Sequence, residues 1–221
     1  MRALVLLLLL AKPAAACVLA LMFAVDVSGS VDPNEYRIQM EGLAEGLRDR
    51  QIAESLLSGK AALSLVQWTG MSRQKVTLPW VQIASHDDLE AFASAVADDQ
   101  RVWRNFSTAI GEGLRVAGSS FDAAPTCSRN VIDVSGDGVS NEGAEPAQLR
   151  ALNSQKSIAV NALVIEDATA GDLTGYYYEN VIFGPGAFVV TADRYAEYPE
   201  MMRCKLLREV TQVVGALELG D

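Results

Sequence analysis

The sequence predicts an α/β fold: a doubly wound, mostly parallel central sheet with one antiparallel edge strand and helices on both faces. Three observations carry that reading. Short apolar runs rich in β-branched residues alternate with segments of helical period along the chain. One pair of runs, residues 61–68 and 75–83, is close enough in sequence to form a hairpin. Two other runs stop abruptly at small polar residues and an acid, as strands do where an open sheet delivers ligands from its C-terminal edge.

The elements follow in order. Residues 18–25 are an unbroken apolar run, the pattern of a strand buried on both faces, and it ends at Asp26 with Ser28 and Ser30 around Gly29. Asp32 is placed to cap a helix, Pro33 fits its first position and Glu35 completes a capping box. Tyr36, Met40, Leu43, Leu47, Ile52 and Leu56 then extend one helix over residues 33–57, ended by Gly59. After the hairpin, Ser85 caps a helix with Leu89, Phe92 and Val96 on one face. Residues 100–107 read as a loop, and Thr108 opens a helix through residue 117. Residues 129–134 form a strand that stops at Ser135-Gly136-Asp137-Gly138. Helix over 144–154, strand over 158–165, a short Tyr-rich helix or turn over 172–181, strand over 186–191 and an amphipathic helix over 195–217 complete the pattern. No linker or repeat interrupts it, so residues 17–221 read as a single domain.

Composition narrows the function. Half of the 221 residues are apolar, enough for a sizeable core. The net charge of −10 argues against nucleic acid or anionic membrane as a partner, because both reward basic patches. At the N-terminus Arg2 precedes an apolar stretch over residues 4–10, then Pro13 and three alanines, the layout of a secretory signal over residues 1–16. The expectation is therefore a periplasmic or secreted protein. A lipoprotein anchored through Cys17 is the alternative, although Ala14 stands where a lipid-attachment signal usually carries Leu. No other segment is apolar enough to span a bilayer.

The residues that could carry chemistry are Asp26, Ser28 and Ser30 after the first strand, Thr108, and Asp137 after the fourth. Small oxygen ligands of this kind suit a hard cation such as Mg²⁺. Taken singly, each has a blander explanation, since Asp and Ser also cap helices and fill turns. His86, the one histidine, reads as exposed in a first helical turn, which leaves a catalytic triad or a histidine zinc site unsupported. Neither SGSV nor SGDG is followed by the lysine of a phosphate loop. Trp68, Trp80 and Trp103 could rim a binding surface or belong to the core. Asp133 is an acid inside a strand, which requires either a hidden donor or a bend.

D-x-S-x-S at Asp26, Ser28 and Ser30, T-x-I-G-x-x-L at Thr108 and the Asp137-Gly138 pair together resemble the von Willebrand factor type A domain, with its metal-ion-dependent adhesion site, over essentially the whole chain after residue 17. More narrowly, VDVSGSVDPNEY, VIDVSGDG and FGPGAFVV resemble a bacterial subfamily described only as a domain of unknown function, DUF1194. The resemblance implies a Rossmann-like sheet and a site for Mg²⁺, or for Mn²⁺ or Ca²⁺. Ser28 and Ser30 would contact the ion directly, Thr108 directly or through water, and Asp26 and Asp137 mostly through water. Such an ion keeps an open position for a carboxylate from a partner protein. The expected function is thus non-enzymatic protein binding by a monomer or weak oligomer. The alternatives are a metal-independent scaffold or assembly subunit and a metal-dependent hydrolase.

The same resemblance makes the first and fourth strands parallel neighbours. Cys17 lies nine residues before Asp26 and Cys127 ten before Asp137, so the resemblance implies a Cys17–Cys127 disulfide at the foot of both strands. Cys204 is left over, expected to be free and buried. In the wider family the last helix can shift when the metal site is occupied, and residues 195–217 would be that helix here.

Overall fold

A computed structural model of the chain describes residues 17–166 and 171–218, with side chains through residue 211. The expected signal segment lies outside these residues.

Six strands form one sheet in the order β3-β2-β1-β4-β5-β6. They are β1 (Cys17–Asp26), β2 (Ala62–Trp68), β3 (Gln74–Gln82), β4 (Cys127–Gly136), β5 (Ile158–Ile165) and β6 (Val189–Ala192). All pairings are parallel except β2 with β3, the expected antiparallel edge. The helices are α1 (Pro33–Arg48), α2 (Arg50–Ser58), α3 (His86–Asp98), α4 (Ile110–Ser120), α5 (Leu149–Gln155), α6 (Leu173–Asn180) and α7 (Tyr198–Glu218).

The unbroken apolar run of β1 has a two-sided purpose, because its side chains alternate between two cores. Leu19, Leu21, Phe23 and Val25 pack with α1, α2, α3 and α7 on one face. Met22 and Ala24 pack with α4, α5 and α6 on the other. The sheet is therefore doubly wound, with β1 at its centre between β2 and β4.

Several boundaries differ from the sequence reading. The helix expected over 33–57 is two helices, because Asp49 turns extended (φ −57°, ψ 131°) and its carboxylate accepts from the amides of Gln51 and Ile52 as a second N-cap. Helix α5 starts only at Leu149, after a 3₁₀ turn at Pro146–Gln148. Strand β6 begins three residues late, because Gly184 and Gly186 adopt positive φ and turn the chain first. A 3₁₀ turn at Tyr195–Glu197 precedes α7.

Asp133 has the hidden donor. Lys205 of α7 reaches it at 2.5 Å, both side chains being buried. One helical turn on, Glu209 is held by Arg129 at 2.8 Å and Asn161 at 2.5 Å, so α7 is seated on the sheet through a buried polar network as well as apolar contacts.

Cys17 and Cys127 are directly opposite in the β1–β4 register and are joined by a disulfide, with Cα atoms 4.5 Å apart. Cys204 is free but exposed, which corrects the expectation that it is buried. Its neighbours Met202, Lys205, Leu206 and Glu209 take the inward face of α7 and turn position 204 to solvent. Trp68 is core, with Gly113 of α4 pressed against its ring, and Trp80 is partly buried against Phe121. Among the described residues no helix is long and apolar enough to cross a membrane.

Candidate metal centre

The C-terminal ends of β1 and β4 stand side by side, because Val25 pairs with Ser135. Asp26 therefore ends one strand beside Gly136, and Asp137 follows in the next loop. Asp26 is fully buried, and its Oδ1 accepts the Ser28 amide at 2.7 Å, curling the chain so that Ser28 and Ser30 project together. Their hydroxyl oxygens are 3.2 Å apart, and Ser30 donates to Asp137 Oδ1 at 2.6 Å. With that proton committed, the Ser28 hydroxyl is the donor to Ser30.

Thr108 does not open α4 but precedes it by two residues. Its amide donates to the Asn141 side chain at 2.9 Å, and its carbonyl accepts the Asn141 amide at 2.8 Å. Ala109 donates to the Thr69 carbonyl and takes the cap position with no side-chain cap. Relieved of capping, the Thr108 hydroxyl faces the Asp137 loop, 3.8 Å from where a Cβ on Gly138 would sit. The structure thus brings all five expected residues to one edge of the sheet.

Sequence reasoning missed the groups that hold them. Tyr195, ahead of α7, donates to Asp137 Oδ2 at 2.7 Å. Tyr177 of α6 is fully buried and donates to the Gly138 carbonyl at 3.2 Å. Gln39 reaches the Asp26 carbonyl and accepts from Ser135. Arg101 donates from Nη2 to the carbonyls of Val27 and Ser28 at 3.0 and 2.8 Å. Only Gln39, polar on the apolar face of an amphipathic helix, left a trace in the sequence.

The electrostatics test whether a cation fits. Asp26 Oδ2 is buried and has no hydrogen-bond partner, an exception to the rule that buried polar atoms are satisfied. Burial first, and the Asp137 charge second, push the Asp26 carboxyl up to about 8, against the opposing pull of the Ser28 hydrogen bonds and Arg101. Burial and Asp137 also push the Tyr195 phenol up, which keeps it a donor. Gly136 completes the pocket, since a Cβ there would come within 2.4 Å of the Tyr177 hydroxyl and 3.2 Å of Asp26 Oδ2. Three hydroxyls and two carboxylates, one of them with an orphaned oxygen, suit a hard divalent ion. Among the described residues no three His, Cys, Asp or Glu side chains cluster as a metal site, because most of the donors here are hydroxyls.

This sheet order, with its one antiparallel edge strand, is that of the von Willebrand factor type A fold. Similar solved structures include proximal thread matrix protein 1 from the mussel byssus, with a TM-score of 0.67 and 16% identity over 89% of this chain and 49% of that one. A second form of that protein, described with a zinc-occupied MIDAS motif, has a TM-score of 0.63 and 13% identity over 89% and 47%. A von Willebrand factor type A protein from Catenulispora acidiphila has a TM-score of 0.62 and 20% identity over 88% and 43%. The chain thus spans about half the length, or less, of these solved chains. None of the curated proteins matches it. The chain belongs to the family described as "Protein of unknown function (DUF1194)", whose profile matches residues 16–214.

Proposed function

We propose that this chain is an exported, non-enzymatic, adhesion-type protein-binding domain whose Asp26, Ser28, Ser30, Thr108 and Asp137 hold a divalent cation, Mg²⁺ in the first instance and Mn²⁺ or Ca²⁺ as alternatives. The observation that carries the reading is the buried, unpartnered Asp26 Oδ2 facing a second carboxylate across two hydroxyls. When bound, the ion supplies an electrophile with an open position for a partner's carboxylate. The protein's own part is positioning. The Asp26–Ser28 turn aims the two hydroxyls, Asn141 fixes Thr108 by its backbone, and Tyr195 and Ser30 orient the two oxygens of Asp137.

Binding without turnover is the favoured reading because, among the described residues, the acids at this centre are Asp26 and Asp137, both assigned to the ion, and no histidine stands beside them. The one histidine, His86, follows β3, whose end pairs with the start of β2, so it lies at the opposite edge of the sheet. Export is supported by the disulfide, which persists in oxidising compartments, and by the signal-like residues 1–16. One observation favours a metal-independent scaffold instead: each oxygen of Asp137 accepts a hydrogen bond from the protein, from Ser30 and from Tyr195.

Thermal unfolding of protein stripped of metal separates the two. The metal-binding reading expects Mg²⁺ or Mn²⁺ to raise the melting temperature, and Asp26→Ala or Asp137→Ala to abolish the rise. No shift with any divalent ion would leave the scaffold reading standing.

A further inference from the structure

A pair of arginines lies beside the candidate centre. Arg101 and Arg104 line a groove of about 320 Å³ between the start of α1, the end of α3 and the loop that follows α3. Arg101 is anchored to the Val27 and Ser28 carbonyls, so the groove adjoins the loop that carries the serines. Of the acids on the groove, Glu41 pairs with Arg37 at 2.7 Å, and Asp99 is turned to Gln67 at 3.0 Å and Thr77 at 2.6 Å rather than to either arginine. Among the described residues neither Arg101 nor Arg104 has an ion-pair partner. Two unpaired guanidinium groups on one groove repel each other, and an anion between them removes that cost. In a chain of net charge −10 this is a local exception.

The surroundings indicate a protein ligand. Met71, Val102 and Val139 are exposed to 56%, 38% and 46%, and stand on the loops after β2, α3 and β4 at this same edge. A polar centre with exposed apolar residues around it is the anatomy of a protein contact.

We propose that the Arg101–Arg104 groove is a second carboxylate subsite, so that the partner presents an acidic segment with one acid at the metal centre and another in the groove. This rests on the metal-binding reading above. The Ser28 carbonyl touched by Arg101 is two residues from Ser30, which limits their separation along the chain to about 7 Å. Alternate residues of an extended peptide stand about 6.6 Å apart on one face, so acid-x-acid is the shortest pattern that presents two acids to the same side. Arg104, exposed, supplies the bidentate fork; Arg101, held in place, supplies fixed positive charge. Joining the two contacts in one segment makes the second intramolecular.

The test is isothermal titration of the Mg²⁺-saturated full chain with acetyl-Gly-Asp-Ala-Asp-Gly-amide and with its two versions carrying Asn for one Asp. The two-acid peptide is expected to bind about tenfold more tightly than either control. Arg104→Glu is expected to erase that preference and Arg104→Lys to retain part of it, with thermal melts in Mg²⁺ confirming that both variants fold. Equal affinities for the three peptides overturn the subsite. So does failure of every peptide to bind while Mg²⁺ still raises the melting temperature. Inorganic phosphate binding more tightly than the peptide, in an Arg104-dependent way, also overturns it by making the groove a phosphate site. If Mg²⁺ has no thermal effect, the metal reading fails; a two-acid preference surviving in chelator would still support the groove, and its absence would overturn both.

Discussion

Replacing Asp26 by Asn isolates the charge that this site is built around. Asn is nearly isosteric and keeps an oxygen to accept the Ser28 amide, so the 2.7 Å bond is retained while the buried charge is removed. In metal-free protein the Asp26 carboxyl is pushed from 3.8 up to about 8, mainly by burial and then by Asp137. A folded-state value above the unfolded one means that the native state binds the proton more tightly. The associated stability is fully present below about pH 4, and is lost as pH rises toward 8. At about 1.4 kcal/mol per unit, the wild type loses at most about 4 kcal/mol between pH 5 and pH 8 from this group. At about 2 to 4 °C per kcal/mol for a chain of this size, that is on the order of 10 °C in melting temperature.

The assay is thermal or urea unfolding of both proteins in chelator at pH 5 to 8. Titrating groups that do not interact with Asp26, Asp133 among them, are common to both and cancel in the comparison, while Asp137, whose charge acts on Asp26, belongs to the difference being read. The wild-type curve should fall relative to Asp26→Asn as pH rises, and saturating Mg²⁺ should restore the wild type alone. Parallel profiles in chelator would refute the argument that Asp26 is an uncompensated buried acid.

Three further outcomes are expected. Gly136→Ala forces a methyl against the Tyr177 hydroxyl and Asp26 Oδ2, so it should cost about 1–3 kcal/mol by denaturant titration and weaken the thermal response to Mg²⁺. Lys205→Met leaves Asp133 and Glu209 without their shared cation and should cost about 3–5 kcal/mol. Because burial already pushes Asp133 up to about 6 and Lys205 opposes that rise, the loss should be larger at pH 8 than at pH 5 in the same titration. A maleimide should label the exposed Cys204 in folded protein, while Cys17 and Cys127 react only after reduction. That reduction opens a cross-link between residues 110 apart and should remove up to about 4–5 kcal/mol of stability.

Much of this architecture was legible because the signals were redundant. The apolar run of β1 needs burial on both faces, and the acid and hydroxyls that end it belong at a sheet edge. Asp32, Pro33 and Glu35 form the capping box that the sequence advertises, with Asp32 bonded to the amides of Asn34 and Glu35. The disulfide follows once β1 and β4 are neighbours, a premise that the family resemblance supplies. The break at Asp49 was present in the rhythm, since the step from Leu47 to Ile52 is five residues and no helical face repeats at five. Other features depend on contacts between distant segments and leave no local pattern. Thr108 looks like a helix cap until Asn141 claims its backbone. Asp133 finds Lys205 across the core, 72 residues away in sequence, and nothing near either residue announces the other. Cys204 was misplaced because cysteine is usually buried, whereas the inward positions of α7 were already taken. Arg101 belongs to a loop, where periodicity carries no information, and Tyr195 lies in the 3₁₀ turn before α7, where helical period does not reveal its contact with Asp137.

On the proposed function, the five oxygen-bearing side chains hold one divalent ion. The most direct test is a Mn²⁺ titration of the metal-stripped full chain, followed by the electron paramagnetic resonance signal of free Mn²⁺. Saturation at one ion per chain, competition by Mg²⁺, and loss of that site in Asp26→Ala and in the Ser28→Ala/Ser30→Ala double variant are expected. Free Mn²⁺ rising in proportion to the amount added, with no saturable site in the wild type, would contradict the proposed function.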